Sequence, residues 1–382
     1  MALITATSSG KEFEVYIATD KISADYSSDV TGVGTFYTAT NWTGAQRMDV
    51  EGITLPPFNP TQEFEMRSGS GRIAEFDQIY SSSKRVVTEF TLSGRLTQEV
   101  WVILAENVMS DDFDGGTGLD SVLTLASGFT PTNFKHNDQI ANATTYSKTL
   151  SVYFKAPTAN DSYKLSGCVC TSLTVDADMD SASGRFNYSA TFQTMYQPTK
   201  GTQSVSSASA IGANFLFLSD LTERNIDVKN YSGSTDEDDI TPLFKTFSFG
   251  IESPTQYLGA QGSNAEPEVF ARALPELNMT IGGTVKYDNE TDNMIEAFRD
   301  PDGLSYLTFY LSDVAVAGET ETPTGVFFGA SSTAKFGIWA GKCKLTSCEV
   351  TSDDLAMVNF EAKVLDAGTG NILHLLGGDN VS

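Results

Sequence analysis

Positive charge is scarce in this chain. Its 382 residues hold 24 Lys and Arg against 49 Asp and Glu, a formal net charge of -25. Proteins that wrap phosphate backbones need clustered Lys and Arg, so this balance argues against nucleic-acid binding. Cysteine is scarce too. Four in a chain of this length are too few for a disulfide framework, and a cytoplasmic folding site is the simpler reading. The two histidines, His136 and His374, sit in unrelated contexts, with no assignable partners for a triad or a zinc site. Cys168 and Cys170 share a strand face but lack the second pair a metal site needs, and they read as buried thiols. No run approaches the roughly 20 apolar residues of a membrane span; the longest clean one covers residues 100–105. The N-terminal Met-Ala-Leu-Ile-Thr has no basic region ahead of an apolar core, so no signal peptide is expected.

Ligand motifs are missing as well. Asp111-Asp112-Phe113-Asp114-Gly115-Gly116 lacks the Asp-x-Asp-x-Asp-Gly spacing and the twelfth-position Glu of a calcium loop. Thr235-Asp236-Glu237-Asp238-Asp239 reads as a solvated charge run. No glycine loop suited to phosphate is present, and nothing marks a cleft where paired carboxylates would act. The expectation is a protein that is not an enzyme, with no cofactor and no metal.

What is there is a β pattern. Apolar residues make up 40% and aromatics 11%, enough for packed cores, and the length suits two domains. Short alternating runs recur, among them Val87-Thr88-Glu89-Phe90-Thr91-Leu92-Ser93 and Phe186-Asn187-Tyr188-Ser189-Ala190-Thr191-Phe192. Two segments break the alternation. Residues 97–109 place Val100, Ile103, Leu104 and Val108 at helical spacing, which predicts one short amphipathic helix. Residues 289–298 predict a second, with Met294, Ile295 and Phe298 on one face, stopped by Asp300-Pro301-Asp302-Gly303.

The halves of the chain also echo each other. Tyr16-Ile17-Ala18-Thr19-Asp20 parallels Leu216-Phe217-Leu218-Ser219-Asp220, and Pro60-Thr61-Gln62 parallels Pro254-Thr255-Gln256. Thr91-Leu92-Ser93-Gly94 parallels Thr280-Ile281-Gly282-Gly283, and Ser121-Val122-Leu123-Thr124 parallels Ser305-Tyr306-Leu307-Thr308. Cys168 with Thr171-Ser172 parallels Cys343 with Thr346-Ser347, and Phe186-Asn187-Tyr188-Ser189-Ala190 parallels Val358-Asn359-Phe360-Glu361-Ala362. The six matches stay in order while their offset shrinks from 200 to 172, as expected of a duplication whose second copy has shorter loops. The units are then residues 1–197 and 215–382, joined by a Ser/Ala/Gly-rich linker at 198–214.

Each unit carries strands with one oily and one wet face. Phe90 and Leu92 oppose Glu89, Thr91, Ser93 and Arg95; Met279, Ile281 and Val285 oppose Asn278, Thr280 and Thr284. Each unit also carries a long loop, residues 60–83 and 254–273. Their apolar residues suggest an arm that docks on a neighbour.

The paired Pro-Thr-Gln loops, the strand-to-helix steps at 91–109 and 280–298, and the terminal strands ending near Phe192 and Val364 together resemble the tail tube protein, or major tail protein, of long-tailed phages. The likeness is to the variant with two fused tube domains per chain, and it spans about residues 12–197 and 213–370. It implies an α+β, β-dominated chain of two tandem tail-tube-like domains, each a β-sandwich or partial barrel with one outer helix. These domains assemble into a closed β-barrel ring. Three chains per ring give quasi-sixfold symmetry, and stacked rings make a virion tail tube, built in the host cytoplasm, through which genome DNA is ejected. By position, the lumen would be lined by Glu89, Thr91, Ser93, Asn187, Ser189, Asn278, Thr280, Asn359 and Glu361, with Arg95 and Lys363 on the same faces paired to acids. Contacts between rings would come from Pro60, Phe64, Met66, Ile73 and Phe76, and from Pro254, Tyr257, Leu258, Val269 and Phe270. The implied partners are further copies of the chain, a tape measure protein, tail terminator and baseplate proteins, and DNA in transit without specific binding; no membrane is involved. The immunoglobulin-like decoration that many such proteins carry has no room here.

Two other readings stay open. A β-rich surface adhesin or carbohydrate-binding module would need an exposed aromatic cluster, for which Trp42, Trp101 and Trp339 are candidates. A tube protein of a contractile secretion machine is the other.

Overall fold

The alternating runs become strands and the two helical stretches become helices. A computed structural model describes residues 13–21, 45–53, 62–64, 79–81, 88–109, 121–126, 133–135, 146–157, 162–194, 199–203, 205, 215–229, 238–258, 269–272, 277–300, 303–314, 335–352, 355–366 and 371–377. In the first half these hold β1 (Glu14–Lys21), β2 (Gln46–Met48), β3 (Gly52–Ile53), β4 (Gln62–Phe64), β5 (Ile79–Ser81), β6 (Thr88–Arg95) and α1 (Gln98–Met109). β7 (Ser121–Ala126), β8 (Asn133–Lys135), β9 (Tyr146–Lys155), β10 (Tyr163–Asp178), β11 (Phe186–Thr194) and β12 (Thr199–Lys200) follow. The second half holds β13 (Glu223–Lys229), β14 (Asp238–Ile240), β15 (Phe244–Glu252), β16 (Thr255–Leu258), β17 (Val269–Arg272), β18 (Asn278–Lys286) and α2 (Asp292–Arg299). It ends with β19 (Tyr306–Ser312), β20 (Phe336–Ser352), β21 (Ala356–Val364) and β22 (Asn371–Gly377).

The central feature is an antiparallel sheet of eight strands in the order β3-β6-β11-β10-β15-β18-β21-β20. Four strands come from each half, and the seam between the halves is β10 against β15. The long strands β10 and β20 run on beyond this sheet. The first part of β10 pairs with β9, which pairs with β1 and so with β2. The first part of β20 pairs with β19, then β13 and β14, and on its other side with β22 and β7. No path along these pairings returns to its starting strand, so the described strands form an open, branched antiparallel sheet that does not close into a barrel.

The pairings recur in the same chain order. The path β2-β1-β9-β10-β11-β6-β3 is matched by β14-β13-β19-β20-β21-β18-β15. Even the irregularities correspond. Against its neighbours, β10 slips register between Leu165 and Cys168 and again between Cys170 and Ser172. β20 slips between Ala340 and Cys343 and between Leu345 and Ser347, each position 175 residues further on. At the second bulge Thr171 Oγ1 donates to the Thr191 carbonyl (3.3 Å), as Thr346 Oγ1 donates to that of Glu361 (3.1 Å). A bulge leaves one residue outside the ladder and bends the strand, so two in matching places shape both long strands alike. Two of the sequence parallels join segments that the pairings do not make counterparts. By pairing, the counterpart of β19 is β9, not the β7 segment at Ser121. The counterpart of β1 is β13, while Leu218 to Asp220 form a short 3-10 turn ahead of it.

Buried side chains of both halves make one contiguous core. Trp101, Phe186, Phe336, Phe247 and Phe309 pack ring against ring, tilted, edge to face or stacked, at centroid distances from 4.8 to 6.0 Å, crossing from one half to the other. Each such side chain contributes on the order of 2–3 kcal/mol by leaving water. Helix α1 departs from the amphipathic expectation, since eleven of its twelve residues are buried. The C-terminal strand β22 lies over what would have been its wet face. Trp101 Nε1 donates to the Leu376 carbonyl at 2.9 Å, and Gly377 comes so close that a Cβ there would stand 2.5 Å from Val102 Cγ2. On its other side, Asn107 Oδ1 accepts the Cys170 amide (2.6 Å) beside the bulge in β10. In α2, Met294, Ile295 and Ala297 are buried, while Phe298 is 42% exposed and does not share their face.

Candidate assembly and channel surface

Strand alternation sorts the eight-stranded sheet into two faces. Phe90, Leu92, Tyr188, Ala190, Leu173, Val175, Phe247, Phe249, Ile281 and Phe360 point into the core. The nine residues expected on a lumen all lie on the opposite face. Glu89, Thr91, Ser93, Asn359 and Glu361 are exposed, and Asn187, Ser189, Asn278 and Thr280 are half-buried. The register joins them into rows across the sheet. One runs Ser93, Ser189, Thr174, Gly250, Thr280, Lys363; the next runs Arg95, Asn187, Asp176, Ser248, Gly282, Glu361. The sequence expectation omitted β10 and β15, which fill the middle of these rows. The alternations Leu173-Thr174-Val175-Asp176-Ala177 and Phe247-Ser248-Phe249-Gly250-Ile251 carry the same signal. The bulges also show that the last strands match with an offset of 170, Thr191 to Glu361, two residues from the sequence parallel.

Short polar side chains bridge the strands on this face. Thr91 and Thr191 hydroxyls lie 3.0 Å apart, Gln193 donates to Glu89 (2.9 Å), Thr246 to Thr284 (3.0 Å), and Thr284 to Asn359 (2.8 Å). Such ladders hold the side chains flat on the sheet. Acids outnumber bases: Glu89, Asp176, Asp178, Glu252, Glu349 and Glu361 against Arg95, Lys286, Lys344 and Lys363. Arg95 is held by Asp49 at 3.2 Å and Glu51 at 3.8 Å. Lys363, expected to be paired, makes no ion pair among the described residues. Burial pushes the Asp176 carboxyl above the usual carboxylate range, with the neighbouring Asp178 adding to it and the Asn187 amide working against it.

Two hairpins leave the same end of this sheet. β4 and β5 pair Gln62 with Ser81 and Phe64 with Ile79, between β3 and β6. β16 and β17 pair Thr255 with Arg272 and Leu258 with Val269, between β15 and β18, and β8 adds to β17 with Lys135 opposite Val269. The long loops are thus hairpin-bearing. Tyr257 and Leu258 lie in β16, Val269 and Phe270 in β17, and Phe64 ends β4; Pro254 is exposed at the hairpin's base. Pro60, Met66, Ile73 and Phe76 lie outside the described residues.

The opposite end carries a rim the sequence reading missed. Met179, Leu243, Tyr287 and Leu355 are 41%, 61%, 37% and 73% exposed. The backbone knits them side by side: Met179 N–H donates to Lys245, Lys286 N–H to Leu243, and Tyr287 N–H to Ala356, each at 2.9–3.0 Å. These residues end strands, where periodicity carries no signal.

The remaining chemistry is buried. Cys168, Cys170, Cys343 and Cys348 are buried and none is in a disulfide, and burial pushes the Cys343 thiol up to about 12 and that of Cys348 up to about 11. His374 is buried with Trp339 edge-on at 5.0 Å, which lowers its pKa to about 4. Trp101 and Trp339 are buried, and Trp42, His136 and residues 111–116 lie outside the described residues. Among the described residues no group of three or more His, Cys, Asp and Glu is placed to hold a metal, and no helix is long and apolar enough to cross a membrane. No family model and no curated protein matches the chain.

Proposed function

We propose that this chain is a structural subunit that polymerises as stacked rings into the tail tube of a long-tailed phage, and that its two halves are tandem tube domains, residues 1–197 and 215–382. The observation that carries the reading is the eight-stranded sheet, four strands from each half, with one face sealed by the core and the other a neutral-to-acidic wall. The recurring pairings and matched bulges support two copies of one unit. Three chains edge to edge give about 24 strands; at ~4.8 Å per strand and a tilt near 40°, the backbone circle is roughly 50 Å across. A bore of that width is water-filled and admits duplex DNA.

The charge fits a conduit. Each Lys–phosphate contact adds salt-dependent affinity and hence drag. A wall of Thr, Ser and Asn with excess carboxylates, on a chain of net charge -25, repels phosphates instead of holding them. The hairpins at one end and the apolar rim at the other suit head-to-tail stacking of rings. A tape measure protein inside the tube, and terminator and baseplate proteins at its ends, are the partners this role requires. The carbohydrate-binding alternative gains no support from Trp101 or Trp339, because both are buried.

Electron microscopy of the purified protein tests the proposal. Hollow tubes built of threefold rings are expected; monodisperse monomers at every concentration and ionic strength would overturn it.

A further inference from the structure

The seam inside the chain has a counterpart with one side empty. β10 meets β15 through seven residue pairs, from Ser172 with Glu252 to Asp178 with Thr246. β20 reproduces β10 at an offset of 175 residues, and it pairs with β21 on one side just as β10 pairs with β11. On its other side, among the described residues, residues 346–352 pair with nothing. Val175 and Val350 show the difference. Val175, facing Phe249 across the seam, is fully buried, whereas Val350 is 48% exposed.

The strand that corresponds to β15 is β3. The row Gly52, Ser93, Ser189, Thr174 matches the row Thr246, Thr284, Asn359, Glu349. The adjacent row Ile53, Leu92, Ala190, Leu173 matches Phe247, Gly283, Phe360, Cys348. β3, residues 52–53, bonds only to β6 among the described residues, and none of these lies along its other edge. One chain therefore ends in two complementary edges, each the equivalent of one side of its own internal seam.

We propose that the free edge of β20 in one copy pairs antiparallel with β3 of a second copy, in the register of the β10–β15 seam. This deepens the ring reading and rests on it. Because Ala177 faces Phe247 within the chain, Ser352 faces Ile53 of the second copy. The hydrogen bonds of the seam fall on alternate residues: Ser253 N–H donates to the Thr171 carbonyl (2.8 Å) and Met179 N–H to that of Lys245 (2.9 Å). Val175 belongs to that set, so the Val350 N–H and C=O are the groups turned to the open edge. Proteins that keep an edge solvated blunt it with Lys, Pro or a bulge. The run Ser347-Cys348-Glu349-Val350-Thr351-Ser352 carries no Lys and no Pro, has Glu349 as its single charge, and lies beyond the last bulge, so it is little protected for an edge left in solvent.

Val350→Pro is the discriminating variant. It deletes the outward N–H while leaving the β20–β21 ladder intact, since proline is tolerated on an edge whose N–H faces outward. The expected result is a chain with unchanged circular dichroism and melting behaviour that no longer forms rings or tubes. The second test is the double variant Ile53→Cys with Ser352→Cys. On mild oxidation of assembled protein it gives chain-to-chain covalent multimers on non-reducing gels, and neither single variant does. Wild-type tubes together with Val350→Pro tubes, or tubes of the double-cysteine variant that stay unlinked, overturn the edge assignment and leave the tube reading standing. Failure of wild-type protein to assemble at all overturns both. Should Val350→Pro not fold, the cross-link alone decides.

Discussion

His374 is a base buried without a hydrogen-bonding partner among the described residues, lying between Trp339 and Thr124 in the register of β22. Its pKa of about 4 in the folded chain lies below the ordinary 6.5. The unfolded chain therefore takes up a proton that the folded chain refuses. Stability is full above about pH 6.5 and falls as pH drops toward about 4, a loss of about 3 kcal/mol. Asp176 acts with the opposite sign: its raised carboxyl pKa favours the fold at low pH, and that contribution is lost as pH rises through the folded value. Thermal melts of wild type and His374→Phe between pH 4 and 7 separate the two. The variant is expected to lose the acid-side slope, and an unchanged slope would show that His374 is not its source. His374 lies in the apolar run Ile372-Leu373-His374-Leu375-Leu376, but its place opposite Trp339 could not be read there, because the two residues are 35 apart in the chain and come from different strands.

Among the elements, the strands were the most readable part, because period-two alternation survives wherever one face is buried. The nine residues expected on a lumen lie on the face opposite the core, as alternation along their strands requires, since pleating leaves each side chain only two directions. Helix α1 was readable as a helix but not as a buried one, because its cover, β22, lies more than 260 residues away in sequence. The bulges were invisible, as they depend on what the neighbouring strand does. The rim at the far end of the sheet belongs to this scale. Leu355, at the β20–β21 turn and 73% exposed, makes no demand on the fold. Leu355→Asp is expected to leave the melting temperature within a degree or two while shortening tubes to single rings or short stacks, as seen by electron microscopy. Full-length tubes from this variant would remove the rim from the stacking contact.

For the whole molecule, the shared core matters more than the division into halves. Trp101 and Phe186 from the first half pack on Phe336 from the second, and the main sheet runs through the seam without a break. Residues 1–197 expressed alone would expose the β10 edge, the face of α1 that β22 covers and the rings that met Phe336 and Phe247. That fragment is expected to aggregate or to bind a hydrophobic dye without a cooperative melt; a sharp melt would show that the first half folds independently. The sequence alone determined the β class, the two faces of each strand, the two helices and the acidic balance, because these depend on local periodicity and composition. Only the tertiary structure decided the seam, the matched bulges, the cover over α1 and the two open edges. Strand partners are chosen by backbone hydrogen bonds and core packing between residues far apart in the chain, and a linear pattern contains no record of that choice.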